Sequence, residues 1–155
     1  MAKRVIVRND PVTGTDTHSV DGQGTDSSGA PVPYHGKGTY PYDGAMTDGL
    51  SDLVTIGGAP IAVVTSASSL RGGHTPAAGA PFMPPVSPTP TPNTLSFTAG
   101  VGPGTPTAGA GSSFVTIAGQ AVLLDGNALD TCGTEKGRGN SSVASTQQDF
   151  VTVAE

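Results

Sequence analysis

Four side chains in this sequence supply imidazole nitrogen or thiol sulfur: His18, His35, His74 and Cys132, which are all of its histidines and its single cysteine. Three imidazoles and one thiolate suit a tetrahedral Zn²⁺ ion, which would crosslink segments far apart in the chain. Glycine stands beside three of them, in "YHG", "GGH" and "TCG", where larger side chains would keep backbones from crowding round an ion. Two catalytic uses of the same donors fit less well. A zinc-bound water on three histidines leaves Cys132 without a place, and a Cys–His nucleophile pair lacks any local signature. The expectation is a structural ion at His18, His35, His74 and Cys132, and no enzyme.

Such donors must be brought together by something, and a repeat supplies it. "LVTIGGAPIAVVTSASSLRGGH" (residues 53–74) aligns with "FVTIAGQAVLLDGNALDTCG" (residues 114–133). Both read as strand, tight glycine turn, strand, polar loop, then a metal-capable side chain beside glycine. A third opening, "FVTVAE" at residues 150–155, has no second strand after it, whereas "RVIVRND" at residues 4–10 is a strand without a first half, followed by a polar loop ending in His18. The third repeat is complete if the two ends of the chain pair, and that pairing would protect both strands from edge-to-edge association.

Helical periodicity is absent, so the fold is expected to be all-β. With 23 glycines, 14 prolines, 5% aromatics and no tryptophan in 155 residues, a thick layered core is hard to build, and metal bonds would help rigidify loops that lack apolar contacts. One domain, residues 1–155, is expected, with a Pro/Gly-rich insertion at residues 75–111 forming a surface loop anchored by "LSF" at residues 95–97. Residues 21–52, dense in turn signals, read as a second loop region. A net charge of −5 with 12% charged residues argues against nucleic acid as a partner. No stretch reaches the length of a membrane helix and no signal core follows the start, which implies synthesis in the cytoplasm without a signal peptide.

These repeats and donors resemble the PAAR-repeat proteins, zinc-bearing cones that cap the trimeric spike of type VI secretion systems and related contractile injection machines. The family pattern, a small-residue "G-S/T-V-x-I-N-G-x-P-A-A-R-x-G-D" segment before a His or Cys loop, is matched by "DLVTIGGAPIAVVTS" (residues 52–66) and "GSSFVTIAGQAVLLDG" (residues 111–126), with "AKRVIVRND" and "DFVTVAE" as two halves of another. The literal Pro-Ala-Ala-Arg string is replaced by "PIAVV" and "AVLLD", so the likeness is PAAR-like. It implies a small pseudo-threefold cone of β-hairpins with a metal-bound apex at His18, His35, His74 and Cys132. It also implies a trimeric, VgrG-like or phage-spike-like partner at the base, and assembly at the tip of an injection particle that delivers it out of the cell or into a target, piercing the target envelope. The 75–111 insertion would drape over the cone, touch the spike or dock effector cargo, and deletion of residues 76–109 is expected to spare metal binding. With Glu155 read as ending the chain in a core strand, no fused toxin is expected. The alternative is a metal-free, homotrimeric tail-fibre or adhesin component.

Overall fold

The computed structural model describes residues 1–83, 87–133 and 139–154. In chain order the strands are β1 (Ala2–Arg4), β2 (Pro11–Thr25), β3 (Pro31–Asp48), β4 (Ser51–Ile56), β5 (Ala59–Ile61), β6 (Ala67–Leu70), β7 (Thr89–Pro90), β8 (Ser96–Phe97), β9 (Thr105–Pro106), β10 (Thr116–Ile117), β11 (Gln120–Ala121), β12 (Ala128–Asp130), β13 (Ser141–Val143) and β14 (Thr152–Ala154). Among the described residues there is no α-helix; two 3₁₀ turns, Pro76–Ala78 and Pro92–Thr94, complete the inventory.

Both repeat hairpins form where the sequence places them. β4 pairs with β5 across Gly57 (φ 59°) and Gly58 (φ 83°), and β10 with β11 across Ala118 (φ 50°) and Gly119 (φ 79°). Positive φ at both central residues is the two-residue turn whose twist matches that of antiparallel strands. The chain ends supply the third pair: β1 and β14 align Arg4 with Thr152 and Lys3 with Val153, just as Pro60 faces Thr55 and Ala121 faces Thr116.

The second strands of these pairs hydrogen-bond to one another in a closed cycle. Ile6 N donates to Leu123 O (3.0 Å), Leu123 N to Ala62 O (2.9 Å), and Ala62 N to Ile6 O (2.9 Å). Arg8 N to Pro60 O, Val64 N to Ala121 O and Asp125 N to Arg4 O repeat the cycle one step on (2.9, 3.0 and 2.9 Å). Each strand then ends in the same turn, whose last side chain accepts a bond from a backbone N–H three residues earlier: Asp10 from Val7, Ser66 from Val63 and Asn127 from Leu124. Asp, Ser and Asn share the short acceptor that such turns use. Because side chains alternate along a strand, Ile6, Ala62 and Leu123 face one apolar cluster with Val12, Tyr42, Met46, Leu129 and Val143, while Val5, Val7, Ile61, Val63, Val122 and Leu124 face another.

From those turns β2, β6 and β12 run onward. The larger sheet has the order β6-β3-β2-β13-β12-β9. Gly104, just before β9, returns to Ser68 of β6 through paired bonds (2.8 and 3.1 Å), so the sheet curls into a nearly closed barrel. β2 and β3 stay paired for fifteen residues, from Pro11 opposite Ala45 to Thr25 opposite Pro31.

This long hairpin corrects the reading of residues 21–52 as loop, and of His18 as a loop residue: His18 is fully buried in β2. The inward positions here are Val12, Asp16, His18 and Val20 on β2, and Tyr34, Gly38, Tyr40, Tyr42 and Gly44 on β3. Gly38 is needed because a Cβ there would meet the Tyr40 hydroxyl at 2.8 Å. The 75–111 segment likewise does more than loop over the surface. β8 and β7 extend the edge of β2, Ala80 and Met83 bond to Thr39 and Lys37 of β3, and Phe82, Leu95 and Phe97 pack on Val20, Tyr34 and Tyr40. The expected "LSF" anchor is part of that cluster. Residues 84–86 of the insertion and Glu155, placed by sequence in a core strand, lie outside the described residues.

Candidate metal centre

Asp16 and His18 occupy alternate positions on β2, so both side chains point inward. His74 follows β6 after Gly72 and Gly73, both at φ 69°, a left-handed pair that turns the chain back toward β2. Cys132 lies two residues past β12. The donor atoms of Asp16, His18, His74 and Cys132 all fall within 4.8 Å of one another.

The cluster is buried and its bonds converge on Asp16. His74 Nε2 is 3.0 Å and Cys132 Sγ 2.8 Å from Asp16 Oδ2. The other oxygen, Oδ1, accepts from Thr131 Oγ1 and from Asn140 Nδ2 (2.7 Å). The carboxylate is thus held by one oxygen while the other faces the remaining donors, the arrangement of a ligand oriented by outer partners. His18 differs: both of its ring nitrogens are buried and, among the described residues, without a hydrogen-bond partner. Its ring is packed by Phe97 (4.7 Å), His74 (5.3 Å) and Tyr40 (5.4 Å).

An imidazole left so is costly, since a buried polar atom without a partner loses its water and gains nothing. Burial is the main cause that lowers the His18 pKa, reinforced by His74 and opposed by Asp16. The Cys132 thiol is pushed up to about 12, first by burial and then by its bond to Asp16. A divalent ion would reverse both penalties, giving His18 a partner and making the thiolate favourable. Tetrahedral bonds of about 2.0–2.3 Å place donors roughly 3.3–3.8 Å apart, so the two contacts to Asp16 Oδ2 would open slightly and the wider pairs, all within 4.8 Å, would close to surround an ion. One carboxylate and one thiolate would neutralise its two positive charges in a buried site. Among the described residues four protein donors could fill a tetrahedral shell, the arrangement that structural sites use.

Three of the four expected donors, His18, His74 and Cys132, are therefore brought together, and His35 is not. His35 sits on β3 opposite Asp21, its side chain 73% exposed and its Nδ1 3.0 Å from Asp21 Oδ1. Asp16 takes the fourth place. Had "DTH" at residues 16–18 been read as strand, the two-residue spacing would have put Asp16 on the same face as His18. Comparison with protein-family models, curated proteins and solved structures yields no match to this chain.

Proposed function

We propose that the protein is the tip of a trimeric spike in a contractile injection apparatus, a cone-like cap braced by a structural zinc ion. The observation that carries this reading is the cycle of hydrogen bonds through Ile6, Leu123 and Ala62, because it sets three strand pairs at equivalent places. Each pair presents a large apolar residue at the same position: Leu53 is 76% exposed, Phe114 76% and Phe150 66%. Exposed apolar groups in a threefold pattern fit a threefold partner, one hairpin to each subunit. An open groove of about 570 Å³ between Phe114, Val115, Thr152, Val153 and Ala154 lies on this side of the molecule.

Zinc is favoured over other divalent ions by a nitrogen, sulfur and carboxylate donor set in a dry, four-donor site. In this role the ion is a crosslink, and the work of the protein is to transmit force to an envelope without unfolding. The test is native mass spectrometry of the protein mixed with a trimeric β-helical spike protein. One chain per spike trimer is the expected complex; a free homotrimer that ignores the spike would replace this reading with the fibre alternative.

A further inference from the structure

The metal centre does not stand at the end of the molecule. Asp10 ends the turn just before β2, His18 follows eight residues later, and β2 continues for seven more, to Thr25. At about 3.3 Å per residue the centre lies roughly 26 Å along the chain from that turn and roughly 23 Å short of the far end of β2. Beyond it, β2 and β3 close at residues 26–30, where Asp26 Oδ1 accepts from Ser28 N, Ser28 Oγ and Ala30 N.

The two sides of the centre are built differently. Among the described residues, two apolar clusters on the side of the cycle hold nine and seven buried residues; on the far side the cluster around Val20, Tyr34 and Tyr40 holds three. The far side is completed by the segment after His74. Its path runs from Pro76, whose carbonyl accepts from Tyr40 Oη (2.7 Å), through Ala80 and Met83 on β3, to β7 and β8 on β2. The segment is tethered at the centre twice, by His74 at its start and by the Phe97 ring resting on His18.

We infer that the metal centre is a mid-length latch that closes residues 75–83 and 87–98 onto the β2–β3 hairpin, and that the 26–30 turn is the leading point of the molecule. Without an ion, His18 keeps two buried nitrogens unpaired, and the direct relief is to let water in by lifting Phe97 and its strand. The cycle and its clusters hold no ligand of the ion apart from Cys132, and stay closed. That the turn leads into a target rests on the spike-tip reading; the latch does not.

Hydrogen exchange read by mass spectrometry, on the full chain as purified and after zinc removal with a chelator, tests the latch. The expected result is loss of protection in residues 20–25, 34–40, 80–83 and 87–98, with residues 5–7, 61–63 and 122–124 still protected. Uniform loss along the chain overturns the latch, because the ion would then hold the whole fold. Unchanged protection overturns it too, as does a protein purified without metal that is already protected on the far side. For the point, Ser28→Cys can be labelled with biotin in the presence of buried Cys132 and capped with streptavidin. Envelope penetration should then be lost while the spike complex persists; penetration with the cap in place overturns the point. Absence of any spike complex with the unlabelled protein would fail the spike-tip reading instead, and leave the exchange result to decide the latch.

Discussion

His74 Nε2 lies 3.0 Å from Asp16 Oδ2, joining two residues that the sequence separates by most of the long β2–β3 hairpin and a repeat. The contact places Asp16 in the candidate site, where it could serve as the fourth donor, and leaves His35 outside. Asp16→Asn keeps the shape and removes the charge, so metal affinity should fall by more than the roughly 10–100-fold that loss of an outer partner costs. His35→Ala should keep full metal content. Elemental mass spectrometry of untagged protein decides between them, and metal loss in His35→Ala with retention in Asp16→Asn would refute this donor set.

Cys132→Ser probes the sulfur. Untagged wild type should carry about one zinc per chain, the stoichiometry of a four-donor structural site, and the variant should carry less or release it faster to a chelator. A folded wild type free of metal would remove the ion from the account.

Leu53→Ser, Phe114→Ser and Phe150→Ser act on exposed side chains. Each should shift stability by no more than about 0.5 kcal/mol and weaken spike binding, with the triple variant abolishing the one-to-three complex. Thermal melts and native mass spectrometry separate the two effects; binding that survives the triple substitution would place the interface elsewhere.

Tyr40 gives an alkaline signature. Burial, and then the charge of Tyr34, raise its pKa from 10.0 to about 12. The unfolded chain releases this proton first, so the contribution to stability is complete below pH 10 and is lost as pH rises from 10 toward 12. Tyr40→Phe should flatten that part of the stability curve, at a cost of about 1 kcal/mol for the bond to Pro76 O. An identical alkaline slope in the variant would assign the titration to another group.

Deletion of residues 76–109, expected from sequence alone to spare the metal, should instead lower its affinity. Phe97 covers His18, and Tyr40 donates to Pro76 O, so the deletion opens the site to water. Zinc affinity by competition with a chromophoric chelator checks this, and unchanged affinity would restore the earlier expectation.

The parts of the fold that were legible were those where the sequence repeats or alternates. "VTI" before a glycine turn marked β4 and β10, and "RVIVRND" announced a strand in need of a partner. The β2–β3 hairpin was hidden because its inward face is mostly Gly, Asp, His and Tyr, with Val12 and Val20 as its aliphatic members on β2, and because Pro33 and Pro41 mimic turn signals from outward positions. Asp16 was missed for the same reason. A carboxylate in an apparent loop looks solvated, and only the strand shows that it faces inward. His35 failed in the opposite direction: the donor type was suitable, but its odd-numbered place on β3 faces solvent.

The cycle through Ile6, Ala62 and Leu123 also sets an order of events during folding. Its members are drawn from the first, middle and last parts of the chain, so the loops that must close to form it are long and their entropy is lost before any reward arrives. The β2–β3 hairpin, by contrast, closes a five-residue turn and can zip locally. Synthesis from the N-terminus would therefore produce the hairpin early, while β1 waits for strands not yet made. A chain in that interval exposes the aliphatic strand around Ile6, and this is the stage at which it is most open to aggregation or to capture by a chaperone.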